Sequence, residues 1–264
     1  MSDNCKVMVA IPTNKVKYYC LAKLVSSLNE LEGADRIVFV DDTRDDDGAM
    51  NANRGSDVDK GSQYRTLLSE AGFEVHEVTE TTNAKERPRI LQRLVNARNK
   101  LREVFLASDC THMLFIDSDV MCPTYTIPAL LSAKADIVTG IYWQRDRDGQ
   151  ARPVIYRFLD KESWENGLSI FGMPLTLDDI IPSRIVGDNP DDMHITAIGF
   201  GCVMISRKVL EDKRWKFRYD IEHPEKLTTE DMWWSIDMFN LGYPIHCHTG
   251  ILCKHYPKAW VGPV

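Results

Sequence analysis

The stretch Met113-Leu114-Phe115-Ile116-Asp117-Ser118-Asp119 decides how this chain is read. Four apolar residues of strand length run straight into two carboxylates that stand two residues apart. Alone, such an acidic triplet is an ordinary strand end, with its acids facing water or capping the next helix. After a fully apolar run, and followed by Val120 and Pro123, the pair is instead set to share one divalent cation. Hard carboxylate oxygens suit Mg²⁺ or Mn²⁺, which keep several waters and share substrate phosphates.

The same design recurs upstream. Lys6 to Ile11 is an apolar run ending at Pro12, and Arg36 to Val40 is a second one, closing on Asp41 and Asp42. Between them, Leu21, Leu24, Val25, Leu28 and Leu31 fall at helical spacing, with Gly33 beyond the end where a C-cap is expected. Residues 43–62, rich in Asp, Asn and Gly, predict a loop. Tyr64 to Ala71 predicts a short helix ended by Gly72, and Phe73 to Val78 a strand. Residues 88–106 predict a long amphipathic helix. Further on, Ile137 to Tyr142 predicts a strand, Thr228 to Leu241 a helix and Pro244 to His255 a final strand pair. Strands alternating with helices predict an α/β fold: one domain with a mostly parallel central sheet flanked by helices. Ligands of such sheets sit outside the carboxyl ends of the strands, where both acidic clusters fall.

Composition narrows the function. The 264 residues carry a formal net charge of -7, which argues against a broad basic surface for nucleic acid. The longest apolar runs are strand-length, far from the roughly 18 residues of a membrane span. The first six residues lack the features of a secretory signal. Seven cysteines, an odd number without framework spacing, read as reduced thiols and predict a cytoplasmic protein.

Other clusters add candidate chemistry. Thr228-Thr229-Glu230-Asp231 reads as a helix start, a threonine capping and two acids in the first turn, where the dipole should keep both ionised. Trp233 and Trp234 follow, so either carboxylate suits a general base beside a sugar ring, with Trp234 on the face of Asp231. Arg98 reads equally as a solvated side chain or as a contact for a nucleotide. Pro12 and Thr13 end the first strand, where a base could pack. Gly199-Phe200-Gly201 reads as a close backbone approach, since neither a dinucleotide nor a Walker pattern is present. His246-Cys247-His248 with Cys253 and His255 is too tightly spaced for a usual zinc site. A single histidine completing the Asp119 site fits better.

Taken in order, Val9-Ala10-Ile11-Pro12-Thr13, Val38-Phe39-Val40-Asp41-Asp42, Phe115-Ile116-Asp117-Ser118-Asp119, Gly199 to Ile205, Thr229-Glu230-Asp231-Met232 and Cys253-Lys254-His255 resemble the GT-A class of nucleotide-sugar glycosyltransferases, most closely the family 2-like group. The resemblance spans nearly the whole chain. It implies a single GT-A, Rossmann-like domain over residues 1–264, with 1–120 the nucleotide-binding half and 121–264 the acceptor-binding half. It implies Mn²⁺ or Mg²⁺ on Asp119 and His255 with Asp117 beside them. It further implies nucleotide contacts from Pro12, Thr13, Asp41, Asp42, Arg98, Asp117 and Ser118, and a base at Asp231 or Glu230, the second acid of the pair being preferred. The donor would be a UDP- or GDP-sugar. The acceptor would be a glycan, a lipid-linked or small-molecule hydroxyl, or a modified nucleic acid, in a site shaped by residues 144–195. A metal-dependent nucleotidyltransferase and a non-catalytic nucleotide-sugar-binding protein remain the alternative readings.

Overall fold

The structure, a computed structural model, describes residues 5–43, 60–78, 87–145, 151–157, 173–174, 185–186, 195–219 and 229–256. The chain begins with β1 (Val7–Thr13), a 3-10 turn (Lys15–Cys20) and α1 (Leu21–Asn29), followed by β2 (Arg36–Asp41), α2 (Lys60–Glu70) and β3 (Glu74–Glu77). Next come α3 (Arg87–Leu106), β4 (His112–Phe115), β5 (Val120–Met121), α4 (Thr126–Ser132) and β6 (Ile137–Arg145). The short strands β7 (Ala151–Pro153), β8 (Ile155–Arg157), β9 (Met173–Pro174), β10 (Ile185–Val186) and β11 (Ile195–Ile198) lead to β12 (Val203–Ser206), α5 (Arg207–Leu210), α6 (Glu230–Asn240) and β13 (His246–His255).

The main sheet runs in the order β10-β13-β6-β12-β4-β1-β2-β3. β4, β1, β2 and β3 are mutually parallel, as are β6 and β13, while β12 inserts antiparallel between β4 and β6. Strand alternation explains its two-sided burial. Met8 and Ala10 of β1 face a core built with Val95, Leu101 and Phe105 of α3 and Trp234 of α6. Val7, Val9 and Ile11 face the opposite core, with Leu24 of α1, Leu68 of α2 and Ile127 of α4. This is the α/β layering that the sequence predicts.

Details differ from the sequence reading. Helix α1 ends on Glu30, whose φ of -92° is ordinary, and Gly33 serves the following turn with φ +81°. Residues 60–62 belong to α2 rather than to the preceding loop, and residues 44–59 lie outside the described residues. Pro244 to His255 yields one ten-residue strand in place of a pair, its register against β6 shifting between Cys247 and Leu252. Helix α4 and strand β5 carry too few residues to leave a periodic signal. Most of 144–195 lies outside the described residues, apart from short strands.

The glycine pair around Phe200 does what its pattern suggests. Tyr142 packs against both backbones, and a Cβ at Gly201 would stand 2.5 Å from Tyr142 Cε1. Gly201→Ala is therefore expected to lower stability by about 1–3 kcal/mol in chemical denaturation, as overpacking does. The same substitution in a Tyr142→Ala background should cost clearly less, because the clashing ring is gone.

Candidate active site

The carboxyl ends of β1, β2 and β4 converge with the last residues of β13 and the start of α6. Three of the sequence-predicted residues, Arg98, Asp117 and Glu230, meet here. Arg98, on α3, is only 1% exposed and bridges two elements. Its Nη1 donates to Glu230 Oε1 at the start of α6, and its Nη2 donates to Asp117 Oδ1 at 3.1 Å, just beyond β4. Phe200 lies under the guanidinium, 4.6 Å from ring centroid to Cζ. The solvated reading of Arg98 is thus corrected: its helix face is turned to the core, and the charge is neutralised there by two carboxylates. The neighbouring residues of α3 fix this geometry. Asn99 pairs through its side-chain amide with both backbone groups of Phe217, at 2.9 and 3.1 Å. Arg102 donates to the carbonyls of Leu210, Asp212 and Trp215. Neither role was visible in the sequence, since the partner backbones are more than a hundred residues away.

The acids at the start of α6 behave differently from the simple helix-dipole expectation. Burial pushes Glu230 up to about 7, against the opposing charge of Arg98, and Asp231 adds to the rise. Burial also raises Asp231, again opposed by Arg98 and by the Thr229 hydroxyl. Desolvation outweighs the dipole, which reaches only the first turn and contributes less. Thr229 sits at the N-cap position, yet its hydroxyl donates to Asp231 Oδ1 in place of capping. Met232 N also donates to Asp231 Oδ1, at 2.8 Å. Both hydrogen bonds to the Asp231 carboxylate among the described residues therefore go to one oxygen. Glu230 is 2% exposed, whereas Asp231 is partly exposed. Glu230 Oε2 and Arg98 Nε are buried without hydrogen-bond partners among the described residues. Trp234 does not offer an aromatic face to a ligand. It is fully buried, edge-on to Phe200 at 4.8 Å and to Trp215 at 6.0 Å. Trp233 is the partly exposed one, with Arg218 over its ring.

Asp119 forms the second centre. Its carboxylate pairs with Lys17 of the 3-10 turn, accepts from the Tyr19 hydroxyl at 3.5 Å and stands 3.6 Å from His255 Nε2. Burial alone would raise this acid, but His255 and the charge of Lys17 beside it hold it down at about 2. His255 Nδ1 lies 3.0 Å from the Trp143 carbonyl, which orients the ring with Nε2 turned towards Asp119. A ring nitrogen oriented by a carbonyl, next to an ionised carboxylate, is the donor set that a divalent cation takes. Asp119 and His255 thus offer two of the donors that the sequence predicts, with Lys17 as the cation an ion would displace, whereas Asp117 is turned away to Arg98. Among the described residues the three metal-ligating side chains that cluster are Cys122, Cys202 and Cys253. Ser118 is buried beside them.

The nucleotide candidates lie at the neighbouring strand ends. Thr13 Oγ1 is hydrogen-bonded to the Tyr64 hydroxyl, and Pro12 is buried in β1. Asp41 is saturated, with Thr43 N and Oγ1 on one oxygen at 3.0 and 2.6 Å and Arg65 on the other. Asp42 is held by Arg93, whose Nε donates at 3.1 Å. Arg65 and Arg93 were missed because nothing in a helical pattern marks which arginine turns inward. His246 is buried, with Nδ1 3.3 Å from the Ile137 carbonyl.

No family model matches this chain, and no curated protein matches it. Solved structures do. GalNAc-T7 with UDP, GalNAc and Mn²⁺ aligns over 100% of this chain and 46% of its own, at 13% identity and a TM-score of 0.53. CMP:2-keto-3-deoxy-manno-octonic acid synthetase complexed with CTP aligns over 96% of this chain and 92% of its own, at 11% identity and 0.49. A197 from STIV covers 96% and 86%, at 13% identity and 0.44. The chain thus spans about half the length of GalNAc-T7, and the likeness to it places the fold in the GT-A, Rossmann-like class. No helix among the described residues is long and apolar enough to cross a membrane.

Arg98→Met is expected to cost about 3–5 kcal/mol, since it leaves the buried Glu230 carboxylate without its cation. A raised carboxylate favours folding fully below its unfolded value and loses that contribution as pH rises through its folded value. The loss in Arg98→Met should therefore be smaller at pH 5 than at pH 8, and adding Glu230→Gln should recover part of it in urea unfolding.

Proposed function

We propose that this protein is a metal-dependent glycosyltransferase that moves a sugar from a UDP- or GDP-sugar to an acceptor hydroxyl with inversion. In this reading residues 1–120 bind the nucleotide and residues 121–264 the acceptor. The observation that supports it most is the pairing of Asp119 with His255 Nε2 at 3.6 Å, at the carboxyl ends of a parallel sheet. Asp119 and His255, assisted by Asp117, would hold Mn²⁺ or Mg²⁺, whose charge offsets the charge growing on the departing diphosphate. Pro12 and Thr13 form the floor for the base at the end of β1. Asp41 and Asp42, held by Arg65 and Arg93, would shape the β2 end of the nucleoside site.

Asp231 serves as the base. Its Oδ1 is occupied by Thr229 and Met232, which leaves Oδ2 for the acceptor hydroxyl. Burial makes this carboxylate a stronger base than a free aspartate, which favours proton transfer near neutral pH. Glu230 is the positioning partner: pinned by Arg98, it fixes the start of α6 against the Asp117 side of the site. The acceptor is a glycan, a lipid-linked or a small-molecule hydroxyl, or a modified nucleic acid. Seven free cysteines favour a reducing, cytoplasmic setting.

Two measurements test this. Mn²⁺ together with UDP or GDP should raise Tm by more than the two separate shifts combined, and Asp119→Ala should remove the excess. Persistence of the excess in Asp119→Ala would refute the metal assignment. Asp231→Asn should keep the Tm response yet lower sugar transfer by about 10²–10⁴-fold. Near-normal transfer by Asp231→Asn with an inactive Glu230→Gln would move the base to Glu230. Release of diphosphate from a nucleoside triphosphate would indicate nucleotidyl transfer instead.

A further inference from the structure

Three thiols lie together in the core beside the Asp119 centre. The Sγ atoms of Cys122, Cys202 and Cys253 all fall within 4.8 Å of one another. Those of Cys122 and Cys253 are 3.5 Å apart, at van der Waals contact. The backbone explains the closeness of this pair. β13 and β5 are antiparallel, with His255 opposite Val120 and Lys254 opposite Met121. One step further along the same register, Cys253 faces Cys122. Directly opposed antiparallel residues have Cα atoms about 4.5–5.5 Å apart, inside the range that a disulfide spans. A bond needs the sulfurs to close by about 1.5 Å, which side-chain rotation can supply.

Cys122 is also reachable. A surface cavity of 690 Å³ is lined by Cys122 together with Lys23, Ser27, Lys254 and Tyr256. Cys122 is 8% exposed and Cys253 4%, whereas Cys202 is fully buried. All three sit in one apolar cluster. A disulfide between two of these thiols is neutral, which suits the apolar cluster around it.

We propose that Cys122 and Cys253 are an oxidation site, converted by a hydroperoxide into a reversible cross-strand disulfide. With hydrogen peroxide, Cys122 Sγ takes one peroxide oxygen as the O–O bond breaks, giving a sulfenic acid and one water. Cys253 Sγ then attacks that sulfur. The S–S bond forms, the S–O bond breaks, and the hydroxyl leaves as a second water with the Cys253 proton. The two sulfurs together lose two electrons, and the peroxide gains them. Two equivalents of a small thiol reverse the change by exchange. The link would tie the end of β5, which follows Asp119, to β13 two residues before His255. Its effect on cation binding rests on the reading proposed above; the disulfide itself does not.

The test uses the full chain, reduced and then treated with hydrogen peroxide. Remaining thiols are alkylated under denaturing conditions, and the peptides are mapped by mass spectrometry. The expected product is a linked pair containing Cys122 and Cys253, lighter by two hydrogens and separated by dithiothreitol. Oxidised protein should melt at a higher temperature, since the link joins residues 131 positions apart. Cys202→Ala should keep the link and Cys253→Ala should lose it. Free or merely sulfinic Cys122 and Cys253 in treated wild-type protein would overturn the proposal. So would a link that uses Cys202, or a metal ion co-purifying on the three thiols. The Mn²⁺ and UDP response of reduced protein is read separately, so its absence would count against the transferase reading while leaving the disulfide intact.

Discussion

A guanidinium buried to the extent of Arg98 is stable only with its charge matched, and it is matched by carboxylates from two distant parts of the chain. Asp117 comes from the turn after β4, and Glu230 from the first turn of α6. The bridge therefore joins the two halves of the site through one side chain. Phe200 seals it from below, and Trp234 and Phe217 pack edge-on against Phe200 in turn. The Glu230 side of the bridge is buried, which makes that pairing stronger and its loss more costly, while Asp117 keeps partial contact with solvent. Asp231 inherits its place from this arrangement, one residue beyond the anchored Glu230.

The other end of the site depends on a similar economy of groups. Asp119 has four neighbours drawn from two places in the chain: Lys17 and Tyr19 from the turn after β1, His255 at the end of β13 and, through its own carbonyl, N of the next residue, Tyr256, at 2.7 Å. Lys17 neutralises the carboxylate without a metal. That lysine is 30% exposed on a short turn. The cysteine cluster lies behind this centre, so the elements that align Asp119 with His255 are those that a disulfide would lock.

The sequence revealed what repeats along the chain and concealed what pairs across it. Strand ends and amphipathic faces are periodic, so β1, β2, β4 and α3 were legible, as was the placing of both acidic clusters on carboxyl ends. His255 opposite Asp119 followed from family resemblance. The partners of Asp41, Asp42 and Asp117 were not legible, because an arginine on a helix carries no local mark of facing inward. The burial of Trp234 was hidden for the same reason: adjacent tryptophans point about 100° apart, and only the tertiary packing decides which one enters the core. Desolvation of Glu230 likewise required the surrounding structure, since the dipole argument alone gave the opposite sign.

The most direct test is the anomalous signal from Mn²⁺ in crystals grown with UDP or GDP. A single peak between Asp119 and His255, with the nucleotide over the ends of β1 and β2, is expected. A peak on the cysteines or elsewhere, or a nucleotide bound away from those strand ends, would contradict the assignment of this site.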